Sequence, residues 1–361
     1  MSINQPAVTV ILTSYNHEKY IREAIESVLN QTFVDFELII WDDASSDDSW
    51  QIIKTYADPR IRAFRNEKNK GPCFGVNNSI FDLSRGQYIA IHHSDDIWQP
   101  TKLEKQVDYL DKHPGLGALF SQANIIDEDG GPLAGKDHFY SSIFRQNNRS
   151  RFEWLRHFLL RGNCLCHPSV LIPRSTYLRV GPYDKRLAQI PDFDMWTRIC
   201  LHYEIHILVE PLIKFRVRSG EANQSGCRPE TIVRMANEQM LVLRNFAQVA
   251  CVQDLYAIIP EIRERFPTGA PISYQLAMYA VETDNDVLQA FGLELLYELM
   301  ADDKSSKMLE NLGFTTMDLI ALSGRCDFFR RGDMLREIER VKQSVSWKIT
   351  KPLRLFWNLL S

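Results

Sequence analysis

A chain of 361 residues with 45% hydrophobic and 24% charged residues has the composition of a globular protein, and its length predicts two domains. The formal net charge of −4 argues against a general nucleic-acid-binding protein, and no apolar run is long enough for a transmembrane helix. Seven cysteines without a zinc-type CxxC pair, and an N-terminus without the features of a secretory signal, are typical of a protein in the reducing cytoplasm.

Strand and helix patterns alternate through the first part of the chain. They predict strands at 8–12, 36–41, 60–65 and 88–91, and helices at 20–29, 50–56, 74–83 and 103–110. Strands that alternate with helices at this spacing indicate βαβ units. The sequence therefore predicts an α/β fold with a mostly parallel central sheet.

Polar clusters follow three of these strands, at residues 13–17, 42–43 and 92–96. Because loops at the carboxyl ends of parallel strands face one crevice, we expect the three clusters to converge. Adjacent carboxylates in two of them suit a divalent cation with open positions for substrate phosphates. The sequence has no Walker A loop and no GxGxxG motif, so these carboxylates and a metal are expected to hold any nucleotide. The alternative is that the aspartates only form turns and cap helices.

Six segments, in this order and spacing, resemble family 2 glycosyltransferases with the GT-A fold, of the bacterial surface-polysaccharide type. They are VILTSYN at 10–16, SVLNQTF at 27–33, DDASSD at 42–47, NKG at 69–71, the asparagine at 77, and DDIWQPTKLE at 95–104. The resemblance covers about residues 7–225. It implies a Rossmann-like nucleotide-sugar domain that uses Mg²⁺ or Mn²⁺.

The resemblance also implies where the donor binds. The residues it places at the nucleotide or donor are Thr13, Tyr15, Asn16, Asp43, Asn69 and Asp95, with Thr13, Tyr15 and Asp43 lining the base. The pair Asp95-Asp96 matches the family's variant of the DxD motif. Asp96 would be the carboxylate nearest the metal, and Asp95 would lie toward the metal and the ribose or donor sugar.

Residues 190–198, which read IPDFDMWTR, resemble the family's Glu-Asp-x-Asp-x-Trp segment at the start of a helix. Asp192 occupies the position of the catalytic base, and Pro191 stands where the family has a glutamate. The resemblance places His167, Asp194 and Trp196 on the acceptor side. The alternative is that Asp192 only caps its helix.

Two arginines lie in a segment that resembles the one closing over the donor diphosphate. The sequence reads KFRVR at 214–218, followed by NQS at 223–225. Arg216 is expected to pair with phosphate oxygens, for which its planar guanidinium is suited. Many relatives carry a histidine near the position of Arg218 that can ligate the metal. An arginine cannot ligate, so the sequence leaves open whether the charge of Arg218 replaces that ligand.

The composition changes after residue 228, where Leu, Met and Ala dominate and β-branched runs disappear. We predict a glycosyltransferase domain at 1–226, an α-helical accessory domain at 227–340 and a basic amphipathic tail at 341–361. Residues 330–361 contain eight Lys or Arg and three Asp or Glu. Aromatic and basic residues interleave in 345–360, which is typical of a segment that binds an anionic membrane surface. The alternative is a helix packed on the accessory domain.

These features predict an inverting hexosyltransferase in the cytoplasm, at the inner face of the plasma membrane. It would move a sugar from a UDP-sugar to a glycan or lipid-linked acceptor in surface polysaccharide synthesis. Asp192 would remove the acceptor proton, while the metal and Arg216 stabilise the leaving diphosphate. The oligomeric state is left open.

Two alternative functions remain at this stage. A catalytically silent nucleotide-sugar-binding protein is consistent with Pro191 and Arg218, which depart from the family pattern. A metal-dependent hydrolase could use His92 and His93 together with the Asp95-Asp96 pair.

Overall fold

One eight-stranded sheet is the framework of the first part of the chain. The computed structural model describes residues 5–133 and 139–350. The strands are β1 (Val8–Ser14), β2 (Phe36–Asp42), β3 (Ile61–Arg65), β4 (Tyr88–His93), β5 (Ile97–Trp98), β6 (Leu116–Ile126), β7 (Leu171–Pro173) and β8 (Glu204–Arg216). Their order across the sheet is β3-β2-β1-β4-β7-β6-β8-β5.

The sheet is mostly parallel, as predicted. β1 pairs in parallel with β2 and β4, β2 with β3, and β6 with β8, whereas β7 and β5 run antiparallel to their neighbours. Ile11 and Leu12 point to opposite faces of β1, and both are fully excluded from solvent. Both faces of the sheet are therefore covered, which explains the continuous apolar runs in its strands.

Helices pack around this sheet. They are α1 (Ile21–Leu29), α2 (Ser49–Ile53), α3 (Pro72–Asn78), α4 (Lys102–Lys112), α5 (Tyr140–Ile143), α6 (Arg151–Arg161), α7 (Arg174–Val180), α8 (Pro191–Cys200), α9 (Pro229–Leu243) and α10 (Val252–Ile258). The helix predicted at 74–83 starts at Pro72 and continues beyond α3 as a π-helical turn, Ser79–Leu83. Together, strands and helices confirm the α/β fold class.

The first compact unit runs to Pro260 and therefore includes α9 and α10. Arg151 of α6 forms an ion pair with Asp254 of α10, at 3.3 Å. Glu238 of α9 accepts hydrogen bonds from the backbone that precedes α8. The domain boundary predicted at residue 226 thus lies inside this unit. The composition changes there because the sheet ends, but the contacts that hold the unit together continue into the next two helices.

The second unit, Glu261–Ser361, is helical where it is described, as predicted for the C-terminal region. Its helices are α11 (Ile272–Val281), α12 (Asp286–Ala301), α13 (Asp303–Asn311), α14 (Thr316–Ser323), α15 (Arg331–Gln343) and α16 (Val345–Ile349). None of the helices within residues 5–133 and 139–350 is long and apolar enough to cross a membrane. Residues 351–360 of the predicted membrane-binding tail lie outside the described residues.

Candidate active site

The polar clusters at the ends of β1, β2 and β4 meet at one edge of the sheet. The His17 ring, just after β1, places Nδ1 2.7 Å from Ser94 Oγ and Nε2 3.8 Å from a carboxylate oxygen of Asp95, both after β4. After β2, the backbone N–H of Asp43 donates to the carbonyl of Ser14 at 2.9 Å. The expected convergence of the three strand ends is confirmed.

Asp43 and Asn69, both predicted at the donor, lie together beside one loop. Asp43 Oδ1 accepts hydrogen bonds from Asn66 Nδ2 at 2.6 Å and from the Lys70 backbone at 2.8 Å, and its Oδ2 accepts one from Gly71 at 3.0 Å. Asn69 Oδ1 also accepts from the Gly71 backbone, at 3.1 Å. Gly71 has a φ of 84°, which only glycine adopts readily. Asp43 therefore shapes this loop and keeps acceptor capacity for a ligand.

The three residues predicted at the end of β1 differ in what they offer a ligand. Tyr15 is 47% exposed and Thr13 is half-buried, so both are accessible at the rim of the crevice. Asn16 adopts a left-handed φ of 53°, and its Oδ1 accepts a hydrogen bond from the Ser46 backbone at 2.8 Å. Its own N–H donates to Ser45 Oγ at 2.9 Å. Asn16 thus joins the loops after β1 and β2.

The acidic pair after β4 contains an unpaired, buried carboxylate oxygen. Asp96 is 2% exposed, and its Oδ1 accepts the Arg216 N–H at 2.8 Å. Within the described part of the chain, Asp96 Oδ2 has no hydrogen-bond partner. Burial, followed by the charge of Asp95, raises the pKa of Asp96 well above its ordinary value. A buried acceptor without a partner is costly, so this oxygen is suited to bind a cation.

His93 completes a set of three side chains that could hold a divalent cation. Its Nδ1 lies 3.8 Å from Asp96 Oδ2, and one ligand atom each from His93, Asp95 and Asp96 all lie within 4.8 Å of one another. The carboxylates of Asp95 and Asp96, including the Asp96 oxygen that has no hydrogen-bond partner among the described residues, fit a metal site. The neighbouring His92 is fully buried with its ring 4.5 Å from that of Trp98. The hydrolase alternative required His92 at the same site, and the structure places it in the core.

Arg216 is used inside the fold, which differs from the expectation that it contacts the donor diphosphate. Its side chain is 2% exposed. The guanidinium donates to the Asp95 and Glu128 carbonyls, each at 2.8 Å, and to the Glu23 carboxylate at 2.6 Å. Buried donors of this kind are held by the groups that they satisfy. Arg216 therefore supports the loop that carries the acidic pair.

Arg218 is the arginine that faces the acidic pair with its side chain. Its Nε lies 3.5 Å from a carboxylate oxygen of Asp95 and is buried without a hydrogen bond among the described residues. The Arg218 N–H donates to Asn223 Oδ1 at 2.7 Å, which fixes the backbone here. A cation therefore stands beside Asp95, although not as a metal ligand.

Asp192 occupies the second position of α8, in a partly desolvated environment. Its Oδ2 accepts a hydrogen bond from Asn163 Nδ2, and its Oδ1 accepts one from the Phe193 N–H, both at 2.8 Å. The residue is half-buried, and desolvation raises its pKa to about 6 although both hydrogen bonds act in the opposite direction. Ile190 occupies the N-cap position of α8, so the structure does not support the alternative in which Asp192 only caps its helix. Asp192 is thus a stronger base than an exposed aspartate.

Of the three residues predicted on the acceptor side, only His167 is half-buried. Its Nε2 lies 3.1 Å from the Tyr183 hydroxyl, and its ring lies 5.0 Å from that of His93. Trp196 is 1% exposed and packs beneath His167, with ring centroids 5.5 Å apart. Asp194 is 5% exposed and is paired with Arg198 at 2.7 Å. Asp194 and Trp196 therefore support the site from below and do not face it.

Two residues near these groups were missed as members of a transferase site. The sequence pattern assigns His93 only to the hydrolase alternative, although its position after a strand beside two aspartates is a signal for a metal ligand. Asn163, which holds Asp192, follows α6 and lies 29 positions away in the chain. No periodicity or motif connects those two residues. Both Asp96 and Asp192 are close enough to the Cys166 thiol to add to the effect of burial in raising its pKa.

Comparisons with known proteins agree with this architecture. The model of the family described as Glycosyl transferase family 2 matches residues 9–173. An uncharacterised glycosyltransferase of Methanocaldococcus jannaschii is 34% identical over 220 residues, which are 60% of this chain and 72% of that protein. The Escherichia coli enzyme WfaP, a UDP-Glc:alpha-D-GlcNAc-diphosphoundecaprenol beta-1,3-glucosyltransferase, is 35% identical over 128 residues, which are 36% of this chain and 49% of that protein.

A solved structure shares the fold. The Staphylococcus aureus protein TarS, in complex with UDP-GlcNAc, aligns with a TM-score of 0.53 and 17% sequence identity. The alignment covers 80% of this chain and 86% of that one. This likeness concerns the fold alone, and together with the sheet described above it confirms the GT-A architecture.

Proposed function

The chain belongs to glycosyl transferase family 2, and from that premise we propose that it transfers a hexose, with inversion, from a UDP-sugar to a glycan or lipid-linked acceptor. The observation that carries the proposal is Asp192, a half-buried carboxylate with a pKa raised to about 6. Its helix, α8, lies near the metal-binding set, because the His167 ring is 5.5 Å from that of Trp196 in α8 and 5.0 Å from that of His93.

Asp192 is the general base of the proposed reaction. Its carboxylate accepts the proton of the acceptor hydroxyl as that oxygen attacks the anomeric carbon of the donor sugar. The bond from the anomeric carbon to the diphosphate breaks in the same displacement, and the diphosphate leaves with the electron pair. Attack from the face opposite the leaving group inverts the anomeric centre. A base with a pKa of about 6 is ionised at neutral pH and retains useful basicity.

On the donor side, Asp43, Asn69, Thr13 and Tyr15 surround the nucleotide, and Arg218 faces the diphosphate in place of Arg216. Support for this choice is that Arg216 is almost fully buried, whereas the Nε of Arg218 has no hydrogen-bond partner within the described residues. Preorganised positive charge at the leaving group is the usual way in which such a site lowers the barrier.

His93, Asp95 and Asp96 are the residues that would hold a divalent cation. A bound Mg²⁺ or Mn²⁺ would neutralise charge on the donor diphosphate. Mg²⁺ takes oxygen ligands almost exclusively, whereas an imidazole is an acceptable ligand for transition metals. We therefore expect Mn²⁺ to bind this set more tightly than Mg²⁺.

Similarity to one relative and the composition of the C-terminal region support the class of acceptor and the location. WfaP acts on a lipid-linked acceptor, and similarity to it supports an acceptor of that chemical class and a role in surface polysaccharide synthesis. Residues 330–350 carry six Lys or Arg and three Asp or Glu, and several apolar side chains of α15 and α16 are exposed. A basic, apolar surface of this kind supports peripheral binding to the anionic inner face of the plasma membrane.

A donor and acceptor panel tests this function. The full chain is incubated with Mn²⁺, GlcNAc-diphosphoundecaprenol in detergent and, in turn, UDP-glucose, UDP-galactose, UDP-GlcNAc or GDP-mannose. Release of UDP and a product with inverted anomeric configuration by NMR are expected, and Asp192→Asn should lower transfer by about 10²–10⁴. UDP binding without turnover of any donor would instead favour the silent binding protein.

A further inference from the structure

The segment that carries Asp192 is held by a buried carboxylate from outside the region that the family model matches. Glu238 of α9 is 6% exposed. Its Oε1 accepts the N–H of Ala188 at 2.8 Å, and its Oε2 accepts those of Gln189 and Ile190 at 2.8 and 3.0 Å. No salt bridge found in the described ranges involves Glu238. Its partners are three consecutive backbone amides immediately before α8.

The start of α8 has little other means of fixing its geometry. The N-cap residue, Ile190, has no side chain that can accept a hydrogen bond, and Pro191 has no N–H. The side chain of Asp192 satisfies only the Phe193 N–H within this first turn. Glu238 instead holds the three backbone N–H groups that lead into α8, which are not the first-turn N–H groups that an N-cap side chain would bind.

A second polar contact comes from the same part of the chain. Asn245, in the 3₁₀ turn Arg244–Gln248, donates from Nδ2 to Asp194 Oδ1 at 2.8 Å. Arg198 binds the other oxygen of Asp194. The residue two positions after Asp192 is thus fixed from both sides, and Asn245 is 6% exposed.

The loop held by Glu238 also contacts the segment that follows Arg218. Gln189 Nε2 donates to the Gln224 carbonyl at 2.6 Å, and Gln224 Nε2 donates to the Ala188 carbonyl. The neighbouring Asn223 accepts the N–H of Arg218. One loop therefore links the segment of the base with the segment of the cation beside Asp95.

We infer that Glu238 and Asn245 are positioning residues for glycosyl transfer, which hold Asp192 in the geometry that accepts the acceptor proton. The inference rests on the proposed function, in which Asp192 is the base. A displacement of a reacting group by about 1 Å can cost on the order of 10²-fold in rate. The family model matches residues 9–173, so Asp192 and both of its supports lie in the part of the chain that follows the matched region.

The test compares two variants that each neutralise a buried carboxylate. In Glu238→Gln, only one side-chain oxygen remains to accept from the three backbone N–H groups. The NH₂ group of the new amide is itself a donor and is placed against backbone donors. The control is Glu37→Gln, because Glu37 is 2% exposed and binds Thr9, Arg62 and Arg85 near the start of β2, at the opposite end of the sheet. Both variants should lose stability, and only Glu238→Gln should change the site.

The first measurement follows the Asp192 carboxyl carbon by NMR as pH is varied, with the signal assigned through Asp192→Asn. We expect a midpoint near pH 6 in the wild type and in Glu37→Gln. In Glu238→Gln, water should reach the loosened segment, and the midpoint should move toward the ordinary value of 3.8. The titratable groups that influence or are influenced by Asp192 are Cys73, Cys166 and Tyr183, and burial raises the pKa of each, so they stay neutral in this range.

The second measurement is kinetic. Transfer by Glu238→Gln should fall by about 10- to 100-fold in kcat, while UDP affinity by calorimetry stays within about threefold of the wild-type value. Asn245→Ala removes a single hydrogen bond to Asp194. It should also lower kcat while UDP affinity is retained, but by a smaller factor. Asn245→Ala also tests the inference if Glu238→Gln does not fold.

The outcomes separate the two proposals. If Asp192→Asn loses transfer but a folded Glu238→Gln or Asn245→Ala keeps the wild-type kcat and Asp192 midpoint, the positioning role is overturned. If Asp192→Asn transfers sugar at the wild-type rate, the general base itself has been assigned to the wrong residue. A change in kcat that Glu37→Gln shares would identify a general loss of stability and would also overturn the inference.

Discussion

The proposed general base, Asp192, couples the stability of the fold to pH. Its pKa is raised to about 6 by desolvation, so the folded protein binds a proton more tightly than the unfolded chain between about pH 4 and pH 6. The contribution of this group to stability is therefore present below pH 4 and is lost as the pH rises through 6. The ionised carboxylate that the proposed catalysis needs is therefore the form that burial destabilises in the folded protein.

This coupling predicts opposite pH trends for activity and stability. The rate constant kcat/KM should rise with pH along an acid limb centred near pH 6 and then level off. The free energy of unfolding of the wild type, relative to Asp192→Asn, should fall over the same interval. Urea unfolding at pH 4.5 and 7.5 measures the second trend. An acid limb centred near pH 4 would contradict the desolvated environment of Asp192.

The two arginines after β8 should separate stability from catalysis. Arg216→Met removes a buried guanidinium from four oxygen partners and should lower the free energy of unfolding by about 3 kcal/mol. Arg218→Met should have a smaller effect on unfolding and should reduce transfer by about 10²–10³-fold, because it removes charge beside the leaving group. Denaturant unfolding and transfer assays on both variants give the comparison. Equal loss of stability in both would argue against different roles.

The position of His93 predicts that its imidazole contributes to the affinity for Mn²⁺, which can be measured without turnover. His93→Ala should weaken Mn²⁺ binding by at least about tenfold, as measured by Mn²⁺ EPR on the protein without donor. Mg²⁺ binding should depend less on this residue, because Mg²⁺ is held mainly through oxygen atoms. The exposed His113, at the end of α4, provides the matched control as His113→Ala. Unchanged Mn²⁺ affinity in His93→Ala would remove the imidazole from the site.

At the scale of elements, the two helices that follow the sheet, α9 and α10, belong to the same compact unit as the sheet. Val242 and Leu243 at the end of α9, and Phe246 in the 3₁₀ turn that follows, are at most 1% exposed, as is Ile258 of α10. Each large apolar side chain buried in this way contributes about 1.5–3 kcal/mol. These helices are therefore part of the same compact unit as the sheet, although their composition differs from that of the βαβ region.

Truncation tests the extent of this unit. A chain that ends at residue 260 should unfold cooperatively and bind UDP, because it keeps the compact unit Met1–Pro260 complete. A chain that ends at residue 226 loses α9, α10 and the carboxylate of Glu238, and it should aggregate or unfold at a much lower temperature. Scanning calorimetry of both chains provides the measurement. Equal thermal stability of the two chains would support the domain boundary predicted at residue 226.

At the scale of the whole molecule, basic charge and exposed apolar side chains are concentrated near the C-terminus. Met334, Leu335, Val345 and Ile349 are each at least 60% exposed, in a region with an excess of Lys and Arg. The protein as a whole has a net charge of −4. An anionic membrane would therefore be expected to attract this region and not the rest of the surface.

Vesicle sedimentation tests the membrane proposal. The full chain should bind vesicles that contain phosphatidylglycerol more strongly than pure phosphatidylcholine vesicles, and 0.5 M salt, a high ionic strength at which charges are screened within about 5 Å, should weaken that binding. A chain that ends at residue 330 should lose the difference but retain UDP binding. Equal binding of the full chain to both kinds of vesicle would argue for a helix that packs on protein.

The sequence alone determined the fold class and the position of the site, since both depend on patterns local to the chain. Each of these patterns can be recognised within a segment of about ten residues: β-branched runs, helical periodicity and polar clusters at strand ends. The roles of Arg216 and Arg218, only two positions apart, required the tertiary structure, because Arg216 is held by Glu23, 193 positions away. Asp192 likewise depends on Asn163, and its loop depends on Glu238, about 50 positions further on. Burial and hydrogen-bond partners arise from contacts between distant segments, so only the folded chain decides which charged groups face the crevice and which support it.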